Sequence, residues 1–333
     1  MNTQLPMFTW VEDHRDRLSF SIQPVPRPDD PTPGKSLIAA GQLCEELGFD
    51  AFFIGDHPAY APEPWLHLAG VAMETSRIRL GSVVNCIFYR HPVMLARLTA
   101  DLDHLSDGRV ILGIGIGWNE EEFAQLGIPF PSIPERQKAL DEVVTILNGV
   151  WGAEPFTFHG RHFSTTNERI APPPMQQPRP PLMIAGGGEK VTLRQVAQFA
   201  EACNFGSGRN VGRAQTHDDV RHKLAVLKGY CEELGRPYES ILRTHFTSWL
   251  IVAETDEEAQ AKLNRYYPEG LTDEQRLTRI AGSPERIAAY FQGLVDAGMQ
   301  YFVVQVMDAN DHETFRLLAQ EVAPRVTISA ARS

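Results

Sequence analysis

Short apolar runs alternate along this chain with longer stretches in which apolar residues recur every three or four positions. The first pattern is that of a strand buried on both faces, and the second puts one apolar stripe on a helix. Leu18–Pro24 predicts a first strand, and Ser36–Leu47 a helix closed by Gly48. Ala51–Ile54 with Pro64–Thr75, Arg77–Asn85 with Pro92–Leu105, and Val110–Gly117 with Pro134–Val150 give the next three pairs. Leu182–Ala185 with Thr192–Ala200 and Ala202–Phe205 with Asp218–Leu234 follow. Arg243–Ala253 leads to a helix capped by Ser283 and running to Ala297, and Tyr301–Met307 to Glu313–Val322. Residues 152–180 break the alternation: 156–163 reads as a hairpin and Ala171–Pro181 as a proline-rich crossing, together an insertion carrying a lid. Eight strand–helix units imply an α/β fold with a parallel sheet that closes as a (β/α)8 TIM barrel, a single domain over 1–333. A doubly wound open sheet is the alternative.

At 43% hydrophobic and 22% charged, the chain has ordinary globular composition. A net charge of -11 argues against nucleic acid as a partner, because phosphates meet a repelling surface. It leaves room for a small anion in a locally basic pocket. No apolar run reaches the roughly 18 residues of a membrane span, and the first residues lack the basic and apolar regions of a signal peptide. Cys44, Cys86, Cys203 and Cys231 form no C-x-x-C pair, so free thiols in a reducing cytoplasm are expected, and no metal site is visible.

In a parallel barrel the chemistry gathers where the strands end. After the fifth main strand come Ala185, Gly186, Gly187 and Gly188, then a helix. Such a turn leaves backbone N–H groups free to bind phosphate, with Lys190 and Arg194 close by in sequence. A tight turn with no ligand reads the same. Strand two ends in Asp56-His57, a pair suited to hold a ligand and shuttle a proton or simply a surface turn. Strand three ends in Ser82-Val83-Val84-Asn85-Cys86, then Tyr89-Arg90-His91-Pro92. Strand four ends in Gly113-Ile114-Gly115-Ile116-Gly117-Trp118-Asn119-Glu120, which fails the G-x-G-x-x-G fingerprint because Trp118 stands where the last glycine belongs. Its alternating glycines read as room for a flat ligand, and Glu120 as an acceptor for it or as a solvated first-turn residue. Pro33-Gly34-Lys35-Ser36 mimics a P-loop end, but Asp29 occupies its first glycine. Arg161, Arg169, Arg209 and Arg213 are placed to face an anionic tail, and Phe53, Trp65, Phe88, Trp118 and Trp249 are apolar candidates for a pocket or for the core.

Taken in order, Gly55-Asp56-His57, Tyr89-Arg90-His91-Pro92, the glycine-rich end of strand four with Trp118-Asn119 and Glu122-Phe123, and Ile184-Ala185-Gly186-Gly187-Gly188 resemble the luciferase-like monooxygenase superfamily over about residues 18–325. Leu105-Ser106-Asp107-Gly108-Arg109-Val110 and Gly127-Ile128-Pro129-Phe130 match it too. The chain looks most like the branch using the deazaflavin coenzyme F420. That resemblance implies cofactor at the C-terminal mouth, often a homodimer, and a non-prolyl cis peptide within Ser82–Asn85. The cofactor set it implies is Ser82, Val83, Val84, Asn85, Gly115, Gly117, Glu120, Ala185, Gly186, Gly187, Gly188 and Lys190. Asp56 and His57 match the pair that assists binding and proton transfer in sugar-phosphate dehydrogenases of the branch. Residues 58–64 depart from that pattern, so the sugar phosphate does not carry over. The expectation is hydride transfer between F420 and a small organic substrate, with a separate flavin or F420 reductase as a possible partner. Reduced FMN with oxygen, as in a monooxygenase, and a flavin-binding protein without turnover are the alternatives.

Overall fold

The computed structural model describes residues 7–328; the ends of the domain expected over 1–333 lie outside the described residues. Its strands are β1 (Ser19–Pro24), β2 (Ala51–Ile54), β3 (Arg79–Cys86), β4 (Val110–Gly115), β5 (Phe156–His159), β6 (Ser164–Glu168), β7 (Leu182–Ala185), β8 (Ala202–Phe205), β9 (Leu242–Val252), β10 (Ile280–Gly282) and β11 (Tyr301–Val306). The order β1-β2-β3-β4-β7-β8-β9-β11 returns to β1, every pairing parallel. Two pairings decide between the barrel and the open sheet. β8 meets β9 from Ala202↔Leu242 to Phe205↔His245, and β11 meets β1 from Tyr301↔Ser19 to Val306↔Pro24, so the eight strands close on themselves. Helices cover the outside and side chains fill the inside, which is why the strands read as unbroken apolar runs.

The helices are α1 (Thr9–His14), α2 (Pro33–Glu46), α3 (Pro64–Glu74), α4 (Pro92–Leu105), α5 (Glu120–Gln125), α6 (Ile133–Val150), α7 (Thr192–Phe199), α8 (His217–Leu234), α9 (Asp256–Tyr266), α10 (Asp273–Arg276), α11 (Pro284–Asp296) and α12 (His312–Leu317). Proline in the first turn starts α2, α3, α4, α6 and α11, where its missing N–H has no helical partner to lose. The periodicity does not reveal α1. This helix closes the N-terminal end of the barrel, with Trp10 and Val11 buried beside Met183, Leu242 and Tyr301. The Trp10 ring meets Tyr301 edge-on at 5.5 Å, and the Tyr301 hydroxyl donates to Asp50 at 2.6 Å. The C-terminal mouth is left for chemistry.

The insertion contains the expected hairpin, β5 antiparallel to β6. Its contacts lie on the barrel's flank and on the loop after β3, where Phe163 meets Phe88 and His91, each at 6.0 Å. Glu142 of α6 accepts the N–H groups of Arg161, His162 and Phe163, each at 2.9 Å. Arg97 and His104 of α4 donate to the carbonyls of Ala171 and Pro173. These contacts brace 152–180 against α4 and α6. A second insertion, α9, α10 and β10, sits between β9 and α11 with its own small core around Ile251, Ala259, Leu263 and Met307. Only Ala259 and Leu263 of α9 are buried, too thin a stripe to register as a pattern.

One buried ion pair ties the crossing to the barrel. Arg179 reaches Glu201 through Nη1–Oε2 at 2.7 Å and Nη2–Oε1 at 3.1 Å, and Glu201 also accepts the Leu182 N–H at 2.8 Å. Glu201→Ala leaves a buried guanidinium without its counter-charge. The expected cost is about 3–5 kcal/mol, read from the urea midpoint; a loss under about 1 kcal/mol would show that water reaches the pair.

Candidate active site

Asp56 and His57 leave the end of β2 in opposite roles. The Asp56 carboxylate is buried, accepting the Cys86 N–H at 3.1 Å and Arg90 Nη1 at 2.9 and 2.8 Å. Arg90 also donates to Glu63 at 2.6 Å. Burial pushes the Asp56 carboxyl above the ordinary aspartate range, while Arg90 and the Cys86 N–H pull against it. Asp56 thus anchors the loop after β3. Its carboxylate makes no hydrogen bond to His57 among the described residues.

The partner of His57 is Glu122. His57 Nδ1 lies 2.9 Å from Glu122 Oε2, which also accepts the Tyr89 hydroxyl at 2.8 Å, while Oε1 accepts the Ala59 N–H at 3.4 Å. Glu122 is buried in α5, whereas Glu120, the glutamate singled out from the sequence, is exposed in the same first turn. The register follows from the cap. Asn119 accepts the Glu122 N–H at 3.4 Å, which sets Glu122 at the third helical position beside buried Phe123. An Asn cap followed by three glutamates was the available signal. The His57 ring stacks on Tyr60 at 4.9 Å and meets Trp118 edge-on at 5.8 Å. Tyr60 and Trp118 are 60% and 48% exposed, so the histidine stands in an aromatic collar open to solvent.

The end of β3 carries a cis peptide between Val83 and Val84, and the β3–β4 register skips between Ser82 and Asn85. Gln23 of β1 donates to the Val83 carbonyl at 2.8 Å and accepts from Gln305 of β11 at 3.0 Å. Of the four residues proposed here, Ser82 and Asn85 face the wall. Asn85 accepts from the Trp65 indole at 3.0 Å and donates to the Gly113 carbonyl at 2.8 Å, and the buried Ser82 hydroxyl has no partner among the described residues. A Cβ on Gly115 would lie 2.7 Å from Val84 Cγ2 and 3.9 Å from Ala185 Cβ. The alternating glycines of β4 therefore admit Val84 and the irregular backbone of β3, a correction to their reading as direct room for a ligand. Val84, Gly115 and Ala185 form a small apolar floor. Gly117 lies beyond β4 at φ +75°, where a Cβ would run into Cys86 and Phe123, each at 2.8 Å. Packing and backbone conformation both require a glycine there.

Of the other apolar candidates, Phe53 and Trp65 are core, while Phe88 and Trp249 are half-buried. All four cysteines are buried free thiols, and burial pushes Cys86 up to about 12, so none serves as a nucleophile near neutral pH.

The glycine turn after β7 is built on backbone contact. Gly186 adopts φ +120° and donates to the Asn204 carbonyl at 2.8 Å. Gly187 packs on Gly212 of the loop after β8; a Cβ on Gly187 would lie 2.8 Å from Gly212 Cα. The lysine at this turn is Lys223 of α8, buried, donating to the Gly187 carbonyl at 2.8 Å and to Glu189 at 3.2 Å. Lys190 is exposed and its carbonyl accepts the Tyr230 hydroxyl at 3.4 Å, while Arg194 pairs with Glu233. No side chain caps α7, and the N–H groups of Gly187, Gly188, Glu189 and Lys190 have no acceptor among the described residues. Arg209 and Arg213, exposed on the loop that carries Gly212, have no carboxylate partner among the described residues, whereas Arg161 pairs with Glu135. Unpaired N–H groups at a helix start, with cations nearby, fit a phosphate.

Fold and site define a (β/α)8-barrel enzyme. The chain belongs to the luciferase-like monooxygenase family, whose model matches residues 17–307. It is 29% identical to an F420-dependent glucose-6-phosphate dehydrogenase of Microbacterium testaceum, over 87% of this chain and 93% of the relative. Among solved structures it resembles the coenzyme F420-dependent tetrahydromethanopterin reductase of Methanopyrus kandleri, with a TM-score of 0.77 and 22% identity over 93% of this chain and 100% of that one. The oxygenating constituent of 3,6-diketocamphane monooxygenase from Pseudomonas putida, solved with FMN, gives 0.74 and 18% over 94% and 100%.

Proposed function

We propose that this protein is an F420-dependent oxidoreductase acting on a small organic substrate. The observation that carries the reading is the sharing of one mouth by the His57–Glu122 pair, the Val84–Gly115–Ala185 floor and the open glycine turn. The similarity to an F420-dependent dehydrogenase over most of the chain supports deazaflavin over FMN. When bound, the deazaflavin supplies the carbon that gives or takes a hydride. The N–H groups from Gly187 to Lys190 would hold its phosphate, and the floor would back its ring. Val83 is held for this by Gln23, and Asp56 acts at a distance by fixing the loop that carries Tyr89. His57 holds or releases the substrate proton at Nε2.

The test is a panel of alcohols and carbonyl compounds incubated with the protein and F420 in its oxidised or reduced form. Substrate-dependent change in the deazaflavin's visible absorption is expected. No change across the panel, together with protein-dependent oxygenation of a panel compound by reduced FMN and oxygen, would contradict the proposal.

The proposal includes a cytoplasmic homodimer served by a separate reductase. Among the described residues no helix is long and apolar enough to cross a membrane. Leu66 and Met73 on α3 and Met94 on α4 are 71%, 67% and 54% exposed, and these two helices pack side by side. Exposed apolar side chains on neighbouring helices favour a self-complementary contact. Leu66→Glu with Met94→Glu is expected to convert a dimer to monomer in sedimentation; a wild type that sediments as a monomer would remove this part.

A further inference from the structure

The contacts of Glu122 determine where the His57 proton sits. We propose that Glu122 is a positioning residue that holds His57 as its Nδ1–H tautomer, leaving Nε2 bare toward the mouth. Glu122 has three polar neighbours: the Ala59 N–H on Oε1, and the Tyr89 hydroxyl and His57 Nδ1 on Oε2. The amide can only donate. Burial, with Glu122 itself and Cys86 adding to it, pushes ionisation of the Tyr89 phenol far above its ordinary range, so the phenol stays protonated and donates as well. A buried carboxylate receiving both is an acceptor toward its third neighbour, and Nδ1 therefore carries hydrogen.

The ring cannot easily escape this setting. Tyr60 covers one face and Trp118 abuts the ring edge-on, so turning it over would leave a carbon against Glu122 Oε2. His57 Nε2 has no hydrogen-bond partner among the described residues, and the side chain is 29% exposed. The groups facing His57 are Glu122 from α5, Trp118 from the loop before it, and Tyr60 from its own loop, with Tyr89 behind Glu122. Asp56, next in the chain, is taken up by Arg90.

The use of Nε2 in proton transfer rests on the proposed hydride-transfer reading; the tautomer does not. Nitrogen-15 NMR of the full chain without cofactor reads it directly, at a pH where the ring is neutral, with a His57→Gln spectrum identifying the signals. The wild type is expected to show a protonated Nδ1 and a bare Nε2. Tyr89→Phe should keep that pattern, because the carboxylate remains. Glu122→Gln should lose it, with the Nε2–H form becoming a major species, since an amide can donate as well as accept. In the loaded enzyme Glu122→Gln should lower kcat by about 10²-fold or more with KM little changed. A wild-type spectrum showing Nε2–H overturns the proposal without any variant, and so does a Glu122→Gln protein that keeps pure Nδ1–H. Failure to bind deazaflavin would sink the functional reading and leave the tautomer result standing.

Discussion

Replacing His57 by alanine is expected to lower kcat by about 10²–10⁴-fold while F420 affinity stays within about twofold, the range a positioned acid–base group usually supplies. His57 is the titratable side chain that faces solvent within the collar of Tyr60 and Trp118 while being held from behind by a buried carboxylate. Neither carboxylate beside it can take over. Asp56 is bound by Arg90 and the Cys86 N–H, and Glu122 is enclosed beneath the histidine. The floor of Val84, Gly115 and Ala185 and the N–H groups of the glycine turn do not include His57, so the cofactor should stay. Steady-state turnover and a binding titration on the same preparation separate the two effects. Unchanged turnover would move proton transfer to another group, and lost cofactor affinity would make His57 part of the binding surface.

The second large effect is expected at Gly187. A leucine there would bring its Cβ to 2.8 Å from Gly212 Cα, 3.1 Å from Gly212 O and 3.3 Å from Lys223 Cε. Gly212 cannot retreat cheaply, because its own Cβ position is 2.8 Å from Phe205 Cβ and its φ is +120°. The turn must open and its N–H groups diverge. Overpacking of this kind costs about 1–3 kcal/mol, so F420 should bind about 10–10²-fold more weakly. Gly229→Ala is the control: it lies on α8 with nothing near its Cβ position, and should bind as the wild type does. Equal affinity for Gly187→Leu and Gly229→Ala would remove the phosphate from the glycine turn.

What could be read from the residues alone follows physical lines. Strands buried on both faces produce continuous apolar runs, so β2, β7 and β8 fall where periodicity places them. Helix α1 hides in a polar stretch because only Trp10, Val11 and His14 are buried. Residues at strand ends were equally accessible: His57, Val84, Ala185 and Gly187 all reach the mouth by following β2, β3 and β7. Local patterning is silent where the partner comes from elsewhere in the chain. Lys223 reaches Gly187 from the next strand–helix unit, with no local signal to prefer it over Lys190. Arg90 claims Asp56 from the loop after β3. Choosing Glu122 over Glu120 required the helical register set by Asn119, a rule of capping rather than of composition.

The central claim is best tested by titrating the purified protein with F420 and, separately, with FMN, following the quenching of tryptophan fluorescence. Trp118 beside His57 gives the mouth an intrinsic reporter. Micromolar affinity for F420 with no saturable response to FMN is the predicted result. Saturable binding of FMN with none of F420, or binding of neither, would contradict the account.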